Sequence, residues 1–374
     1  MTATLSDIIK IMDSIAPIRL AEKWDNSGLQ IGDVGWPVRS VMVALDPAPV
    51  IVETACRKKK DLLITHHPLI FKPLPKIDLS SPLGDIINKA IQNRLALYAA
   101  HTNLDSATGG INDIIAERIG LKNLKVLSEP EKIETFKLIF FVPADYEKKI
   151  LDILFKTKAG VIGDYKCCSF RSRGTGTYKP GSSAKSFSGR AGEISHVEEI
   201  RIEVVVKQDD LDSVITRLKK HHPYETMAYD IYPLNPEIGL QGLGRIGVIE
   251  KSTPLGQLAD QIRKKLNLKT VRVSGNLELL VEKVAVCSGS GSSLLGDFLS
   301  SGAEVFISGD LKYHDARAAE DAGVGLIDIG HFGSEHLVVD VLAEKLRKAI
   351  SEAELNVSVE ACDLEQDPFI VYSS

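Results

Sequence analysis

The stretch Asp61-Leu62-Leu63-Ile64-Thr65-His66-His67-Pro68 combines an apolar run with two adjacent histidines and a proline. Residues 62–65 are apolar or β-branched, which predicts a short buried strand, and two histidines and a proline end it. Buried parallel strands end in loops at one edge of a sheet, where α/β proteins build their sites. Taken alone, the histidine pair is equally consistent with a surface turn.

The composition is that of an ordinary soluble globular protein, with 374 residues, 44% hydrophobic and 25% charged. This length allows two or three domains. Lysine and arginine number 45 and aspartate and glutamate 50, and the net charge of −5 argues against a nucleic-acid binder. The five cysteines have irregular spacing and no Cys-x-x-Cys motif, so we expect neither a disulfide framework nor a thiolate zinc site.

The sequence predicts no association with a membrane. The N-terminus lacks the basic and apolar regions of a signal peptide, and no apolar run approaches the roughly 18 residues of a spanning helix. We therefore expect a cytoplasmic protein.

Strand and helix signals alternate on both sides of the opening stretch, which indicates a largely parallel sheet covered by helices. A segment without strong periodicity, residues 22–30, suggests a loop capped by a buried Trp24, and its Asn26-Ser27-Gly28 could instead line a cleft. Polar side chains follow the predicted strands, namely Asp46, His66, His67 and the segment 101–105. In the first part of the chain we predict helices at 5–16, 48–57, 82–93 and 110–119, and strands at 40–45, 62–65 and 95–100.

From about residue 127 the pattern changes to strand, helix, two strands, helix and strand, which is the order of a ferredoxin-like fold. A Gly/Ser/Lys-rich loop at 180–192 lies within this segment, and 239–247 resembles a return linker. The α/β alternation then resumes and closes with one helix from about 330 to 349. We infer one discontinuous α/β unit, residues 1–126 and 244–374, with a domain inserted at 127–243.

Five side chains fall at or just after the carboxyl ends of predicted buried strands: His66, His67, Asp105, His331 and Glu335. Separately each has a simple explanation, because a Glu suits a helix start and an Asp suits a turn or an N-cap. Together, three imidazoles and two carboxylates suit two adjacent divalent metals, with positions left for water or hydroxide.

Two further histidines, His101 and His314, are candidate catalytic residues. His101 lies four residues before Asp105, where a neutral imidazole could hydrogen-bond a ligand or a metal-bound water. His314 follows Gly309-Asp310 at another strand end. A structural role is an equal alternative for each of them.

Two other motifs receive structural interpretations. The tripeptide His221-His222-Pro223 repeats the first His-His-Pro but follows an amphipathic helix, which favours a helix end or a domain interface. The stretch Gly289-Ser290-Gly291-Ser292-Ser293 could seat a phosphate at a helix start, but without the Walker lysine it is more simply a tight turn.

The chain resembles the family of GTP cyclohydrolase 1 type 2 homologues, also called Nif-three-like or dinuclear metal centre proteins. The resemblance is spread, in matching order, over both segments of the discontinuous unit. Five motifs carry it: Trp24-Asp25-Asn26-Ser27-Gly28-Leu29, Leu63-Ile64-Thr65-His66-His67-Pro68, His101-Thr102-Asn103-Leu104-Asp105, Ser308-Gly309-Asp310-Leu311-Lys312-Tyr313-His314 and Gly330-His331-Phe332-Gly333-Ser334-Glu335.

This resemblance implies an α/β core of two similar halves that binds two divalent metal ions per subunit, with Zn, Fe and Mn all compatible with the ligands. It implies metal ligands at His66, His67, Asp105, His331 and Glu335, and a toroidal homohexamer built as a trimer of dimers. The inserted α+β segment resembles the ferredoxin-like domain of longer bacterial members, related in shape to PII and CutA proteins.

Two functions from different classes follow from the resemblance. The first is a metal-dependent hydrolase in which a metal-bridging hydroxide opens the ring of a purine nucleotide such as GTP. The alternative is a non-catalytic hexameric metal-binding scaffold whose inserted domain binds a partner or a small ligand.

Overall fold

A computed structural model describes residues 3–129, 135–163, 165–234 and 241–372. Contacts divide the chain into two compact units, a larger one of Met1–Pro130 with Gly239–Ser374 and a smaller one of Glu131–Ile238. The domain bounds at 126/127 and 243/244 remain predictions. Residues 130–134 and 235–240, near those bounds, lie outside the described part of the chain.

The first part of the larger unit alternates helices and strands. The predicted strand at 62–65 is confirmed, and Ser81 caps the following helix by accepting a hydrogen bond of 3.1 Å from the backbone N–H of Gly84. The loop prediction for 22–30 is partly wrong because a strand begins at Gly28, and Trp24 is 59% exposed instead of buried. The elements are α1 Leu5–Ile15, β1 Gly28–Ile31, β2 Ser40–Ala44, α2 Pro49–Arg57, β3 Leu62–Thr65, α3 Pro82–Gln92, β4 Ala96–Ala99, α4 Thr102–Ser106, α5 Ile111–Ile119 and β5 Lys122–Ser128.

The smaller unit is a four-stranded antiparallel sheet with two helices. Its elements are β6 Thr135–Pro143, α6 Glu147–Leu154, β7 Phe170–Tyr178, β8 Ser195–Lys207, α7 Gln208–His221 and β9 Tyr229–Leu234. The strand order is β7-β8-β6-β9. Alternate residues of β8, such as Ile200 and Ile202, pack with Leu154 of α6 and Val214 of α7, so both helices cover one face of this sheet. His221 ends α7, which confirms the helix-end interpretation of the second His-His-Pro.

The second part of the larger unit returns to α/β alternation. The linker predicted at 239–247 is wrong where the structure describes it, because β10 begins at Leu243, and 239–240 lie outside the described residues. The single helix predicted to reach 349 is two helices. The elements are β10 Leu243–Pro254, α8 Leu255–Lys265, β11 Arg272–Ser274, β12 Leu280–Ser290, α9 Leu295–Ser301, β13 Val305–Gly309, α10 Tyr313–Asp321, β14 Gly325–Asp328, α11 His331–Glu335, α12 Val338–Glu352 and β15 Ser358–Ala361.

Two sheets form the larger unit, in the orders β1-β4-β3-β2-β15 and β11-β14-β13-β12-β10-β5. Strands β15, β2, β3 and β4 are parallel, as are β12, β13 and β14, so the carboxyl ends of each set lie at one edge. Val41 and Val43 of β2 belong to a core shared with α1, α5, α8 and α12, while Met42 packs with α2 and α3. Within the described ranges, every helix falls short of the length and apolar character that a membrane span needs.

A buried ion pair joins the two parts of the larger unit. Arg245 on β10 is fully buried and pairs with Asp113 on α5, which is 4% exposed. The remaining guanidinium N–H groups donate to the carbonyl oxygens of Gly242, Gly244 and Ala107 at 2.7–3.1 Å. Because the charge is both paired and hydrogen-bonded, its burial is tolerated, and removing either partner would leave the other uncompensated.

We expect Arg245→Ala and Asp113→Ala each to lower the free energy of unfolding by about 3–5 kcal/mol, since each leaves an unpaired buried charge. Denaturant unfolding followed by circular dichroism measures this. The matched control is Lys348→Ala, in the exposed pair of Lys348 with Glu352, which should leave the unfolding free energy unchanged. Single variants as stable as this control would show that the pair does not hold the two parts together.

Candidate metal centre

The carboxyl end of β3 places two histidines side by side in a fixed orientation. The backbone N–H groups of His66 and His67 donate to Ala44 and Leu45 of the neighbouring chain segment, at 3.2 and 2.9 Å. Nδ1 of His66 lies 2.8 Å from the carbonyl oxygen of Ala100, and Nδ1 of His67 lies 2.7 Å from Oδ1 of Asp46. His66 is completely buried. Both Nε2 atoms therefore remain for the centre.

The short helix α11 supplies the third histidine and a buried carboxylate. Gly330, with φ of 77°, makes the turn from β14 into this helix. His331 and Glu335 are one helical turn apart, and Nε2 of His331 lies 3.0 Å from Oε2 of Glu335. Nδ1 of His331 lies 2.8 Å from Oδ2 of Asp310. Gly289 permits this packing, because a Cβ there would overlap the Glu335 carboxylate.

Asp105 is the second buried carboxylate, and it lies within a short helix instead of at the turn or N-cap that would explain it most simply. Residues Thr102–Ser106 form α4, so Asp105 follows His101 by one helical turn. Oδ1 of Asp105 accepts a hydrogen bond of 2.7 Å from the hydroxyl of Ser288, and its backbone carbonyl accepts one of 3.0 Å from Asn112. Side chains from both parts of the larger unit thus hold Asp105 in place.

The other four predicted ligand residues lie around Glu335. Nε2 of His66 lies 3.6 Å from Oε1 of Glu335 and 4.0 Å from Oδ1 of Asp105. Nε2 of His67 lies 3.0 Å from Oε2 of Glu335 and 3.3 Å from Nε2 of His331. The donor atoms form two groups within 4.8 Å, one of His66, Asp105 and Glu335 and one of His67, His331 and Glu335. Glu335 belongs to both groups.

The donor atoms of this cluster point lone pairs at one another, an arrangement that a divalent cation between them would stabilise. In His66, His67 and His331 the Nδ1 atom faces an oxygen acceptor, which favours a proton there and a lone pair on Nε2. With the proton on Nδ1, the Nε2 atoms of His67 and His331 contact Glu335 Oε2 at 3.0 Å without donating a hydrogen to it. His66 Nε2 and Glu335 Oε2 are buried and have no hydrogen-bond partner within the described part of the chain. Buried polar atoms without partners are costly, and a cation bound to both would satisfy them.

The charges of the cluster also call for a cation. Burial lowers the pKa of His67, but contacts with Asp46 and Glu335 outweigh it and raise the pKa to about 10. The contact with Glu335 raises the pKa of His331 to about 9. Burial would raise the pKa of Glu335, but the three histidines hold it well below its usual value. The carboxylate therefore stays charged and attracts positive charge, whether protons or metal ions.

Of the two candidate catalytic histidines, His101 lies at the cluster and His314 does not. Nδ1 of His101 lies 2.7 Å from Oδ1 of Asp25, the same arrangement as in the other three histidines, and its ring centroid is 5.1 Å from that of His66. His101 forms a third possible ligand group with His66 and His67. His314 is exposed on α10 beside Tyr313 and does not line the cavity described below.

Three carboxylates that orient the histidines were not predicted as site residues: Asp25, Asp46 and Asp310. Asp46 follows a predicted strand, and Asp25 and Asp310 lie in two of the motifs that carry the family resemblance, but none of these signals assigns them a role. Burial would raise the pKa of Asp25, but hydrogen bonds from His101, Thr102 and Ser27 outweigh it and lower the pKa. Their partners come from distant parts of the chain, so their role depends on the fold.

A cavity of about 420 Å³ opens over the cluster. The rings of Trp24 and Phe71 stand at its wall, with centroids 5.9 Å apart and both 6.2 Å from that of His101. Ser290, the last residue of β12, and Ser293 in the Gly/Ser stretch also line the cavity. The cavity is thus lined by candidate metal ligands, by aromatic rings and by residues that can form hydrogen bonds.

The chain is similar to known proteins over nearly its whole length. The sequence model of Duf34/NIF3 (NGG1p interacting factor 3) matches residues 3–368. A protein of Halalkalibacterium halodurans named GTP cyclohydrolase 1 type 2 homolog is 38% identical over 97% of each chain, and one of Bacillus subtilis with the same name is 36% identical over 97% of each. A Bacillus cereus protein related to NIF3 has a TM-score of 0.73 at 37% identity over 99% of each chain. A Staphylococcus aureus protein has a TM-score of 0.76 at 30% identity over 99% of each.

We expect Glu335→Gln to reduce metal binding below that of wild type, because it removes the negative charge shared by three imidazoles while keeping the side-chain volume. Elemental analysis after reconstitution with zinc and dialysis measures the loss. Glu352→Gln, at the exposed end of α12, is the matched control and should retain the wild-type content. Equal metal content in both variants would remove Glu335 from the centre.

The orienting carboxylates give a second prediction. Asp46→Asn and Asp310→Asn should each weaken zinc binding by about 10- to 100-fold, because the histidine Nδ1 then faces a neutral amide. An amide oxygen is a weaker acceptor than a carboxylate, and an amide that turns its NH₂ group toward Nδ1 favours the wrong histidine tautomer. Competition with a chromophoric chelator measures the affinity. Asp297→Asn, on the exposed side of α9, should bind zinc as wild type does. Unchanged affinity in the first two variants would show that these contacts do not prepare the histidines for metal.

Proposed function

Because the chain belongs to the Duf34/NIF3 family, we propose that it is a hydrolase that depends on two divalent metal ions per subunit. The observation that carries the proposal is the position of Glu335, whose two carboxylate oxygens face different groups of donor atoms. A carboxylate in that position can bridge two ions. Zinc, iron and manganese all suit such a mixed nitrogen and oxygen set.

The ligands divide between the two groups. His66, Asp105 and Glu335 would hold one ion, and His67, His331 and Glu335 the other. His101 is close enough to His66 and His67 to join the set. Two such ions supply Lewis acidity and lower the pKa of bound water, which is the chemistry of hydrolysis.

The residues of this chain then position the substrate and handle its protons. Asp25 accepts from Nδ1 of His101, so Nε2 of His101 faces the cavity as a proton acceptor beside the metal ligands. The imidazole of His101 is 15% exposed and lines the cavity, so a substrate or a water molecule in the cavity can reach it. His101 is therefore our candidate for a general base, and His314, which lies outside the cavity, is no longer one.

We propose a purine nucleotide as the substrate and hydrolytic ring opening as the reaction. The relatives from Halalkalibacterium halodurans and Bacillus subtilis carry GTP cyclohydrolase names, which supports this class of substrate. The rings of Trp24 and Phe71 suit a planar base, because every nucleotide base has a π-face that can stack on an aromatic side chain. The hydroxyls of Ser290 and Ser293 provide hydrogen-bond donors in the same cavity.

The alternative is a metal-binding scaffold without catalysis. We propose that the smaller unit is a ferredoxin-like domain of the PII and CutA type, which its strand order β7-β8-β6-β9 and its helices on one face support. A toroidal homohexamer, built as a trimer of dimers, is proposed from the resemblance alone. In this alternative the metals stabilise the larger unit and the smaller unit recognises a ligand.

Incubation with GTP separates the two functions. Protein reconstituted with zinc, manganese or iron should release formate from GTP or another purine nucleotide, detected by a coupled formate assay. His67→Ala and Glu335→Gln are the controls. Turnover above both controls supports the hydrolase, whereas full metal binding without turnover of any nucleotide favours the scaffold.

The aromatic wall gives a separate prediction. Trp24→Ala should weaken nucleotide binding by about tenfold, since a stacked base loses one aromatic face, while the metal content stays at the wild-type value. Equilibrium dialysis against labelled GTP and elemental analysis measure the two quantities. Phe369→Ala, a change at an exposed aromatic residue outside the cavity, is the control. Unchanged nucleotide binding in Trp24→Ala would exclude stacking on this ring.

A further inference from the structure

Another cavity, of about 310 Å³, lies entirely within the smaller unit. On β8 the residues Ile200 and Ile202 face the helices, so the alternation of the strand directs Glu199 to the other face. The Gly/Ser/Lys loop after β7 and the segment that follows α7 enclose the space over this second face. The proposed metal centre uses none of these residues.

Three aromatic rings form the walls of the cavity. The ring of Tyr224 lies 6.0 Å from that of Tyr178 and 5.5 Å from that of Phe187, at interplanar angles of 63° and 56°. Phe187 is held from behind by Tyr146 at 5.6 Å and 83°. The hydroxyl of Tyr178 is bonded to Ser188, at 2.9 Å to its carbonyl oxygen, which ties the strand to the loop. Tyr178 and Tyr224 are partly buried and Phe187 is 42% exposed, so the rings line a cavity that a ligand can enter from solvent.

A carboxylate lies among the rings. Oε1 of Glu199 accepts a hydrogen bond of 2.6 Å from the hydroxyl of Tyr224. Oε2 of Glu199 lies directly over Gly176, where any Cβ would overlap the carboxylate. The glycine therefore creates the space that the acid occupies, and Glu199 is set against the ring of Tyr224.

The second His-His-Pro motif positions the central ring. Nε2 of His222 lies 2.8 Å from the carbonyl oxygen of Phe141, and Nδ1 accepts a hydrogen bond of 3.1 Å from the backbone N–H of Tyr224. Burial lowers the pKa of His222, which keeps the imidazole neutral. Both ring nitrogens are occupied within the domain, so His222 anchors Tyr224 and is not arranged as a metal ligand.

The charges at the cavity are predominantly negative. Glu199 and Glu225 contribute two carboxylates and Lys185 one ammonium group, and the backbone N–H of Lys185 donates to Oε2 of Glu225 at 3.0 Å. Aromatic faces together with a carboxylate attract a cation that is weakly hydrated, because the rings offer electron density and the acid offers charge. We propose that this cavity binds a small organic cation that carries a methylated ammonium group.

Calorimetric titration of the full chain tests the proposal with three probes. Tetramethylammonium and choline should bind, and 3,3-dimethylbutan-1-ol, the neutral carbon analogue of choline, should bind at least about tenfold more weakly because it lacks the charge. A trimethyl-lysine peptide distinguishes a free metabolite from a modified side chain. If choline binds more tightly than the peptide, the natural ligand is a free small cation. If the two bind equally, the cavity recognises only the methylated ammonium group that they share. No binding of either cation, or equal binding of the neutral analogue, would overturn the proposal.

Variants localise the binding. Glu199→Gln is nearly isosteric and should weaken choline binding by about tenfold, as should Tyr224→Ala, which removes a wall. Tyr165→Ala, a change at a residue of the same unit that is 76% exposed and outside the cavity, should bind as wild type does. Thermal unfolding shows whether each variant is folded. If Tyr224→Ala does not fold, Glu199→Gln alone tests the site. Wild-type binding by Glu199→Gln would contradict the site.

Discussion

The structure depends on one buried carboxylate, that of Glu335. It is 3% exposed and lies within 3.0 to 3.6 Å of the Nε2 atoms of three histidines. A charge in such surroundings is stable only with opposite charge beside it, and the imidazoles alone supply this only by taking up protons. Divalent ions satisfy the same requirement and also give partners to His66 Nε2 and Glu335 Oε2.

The cluster around Glu335 draws its residues from both separated parts of the larger unit. His66, His67 and Asp105 come from the first part, and His331 and Glu335 from the second. Ser288 of β12 donates a hydrogen bond to Asp105, so the second part also positions a candidate ligand that the first part supplies. Arg245 of β10 pairs with Asp113 of α5 and adds a second polar contact between the two parts. The two sheets share one apolar core. Among the described residues, those that form this core and the candidate centre all belong to the larger unit.

The sequence predicted most of the regular elements and all five residues of the cluster, because buried strands followed by polar residues leave a local pattern. It failed where the decisive contact is distant. Strand β1 was not predicted because Gly28–Ile31 has only four residues of intermediate burial, which form a strand by pairing with β4. The segment from Leu243 looked like a linker because of its glycines, yet pairing with β12 and β5 makes it a strand. The roles of Asp25, Asp46 and Asp310 likewise depend on partners 21 to 76 positions away.

The central claim is that the cluster around Glu335 binds two metal ions. Anomalous diffraction from crystals of zinc-reconstituted protein, recorded on both sides of the zinc edge, tests it most directly. We predict two peaks per chain, one in contact with His66 and Asp105, the other with His67 and His331, and both with Glu335. Crystals that show no anomalous peak at Glu335, with zinc in excess at neutral pH, would contradict the claim.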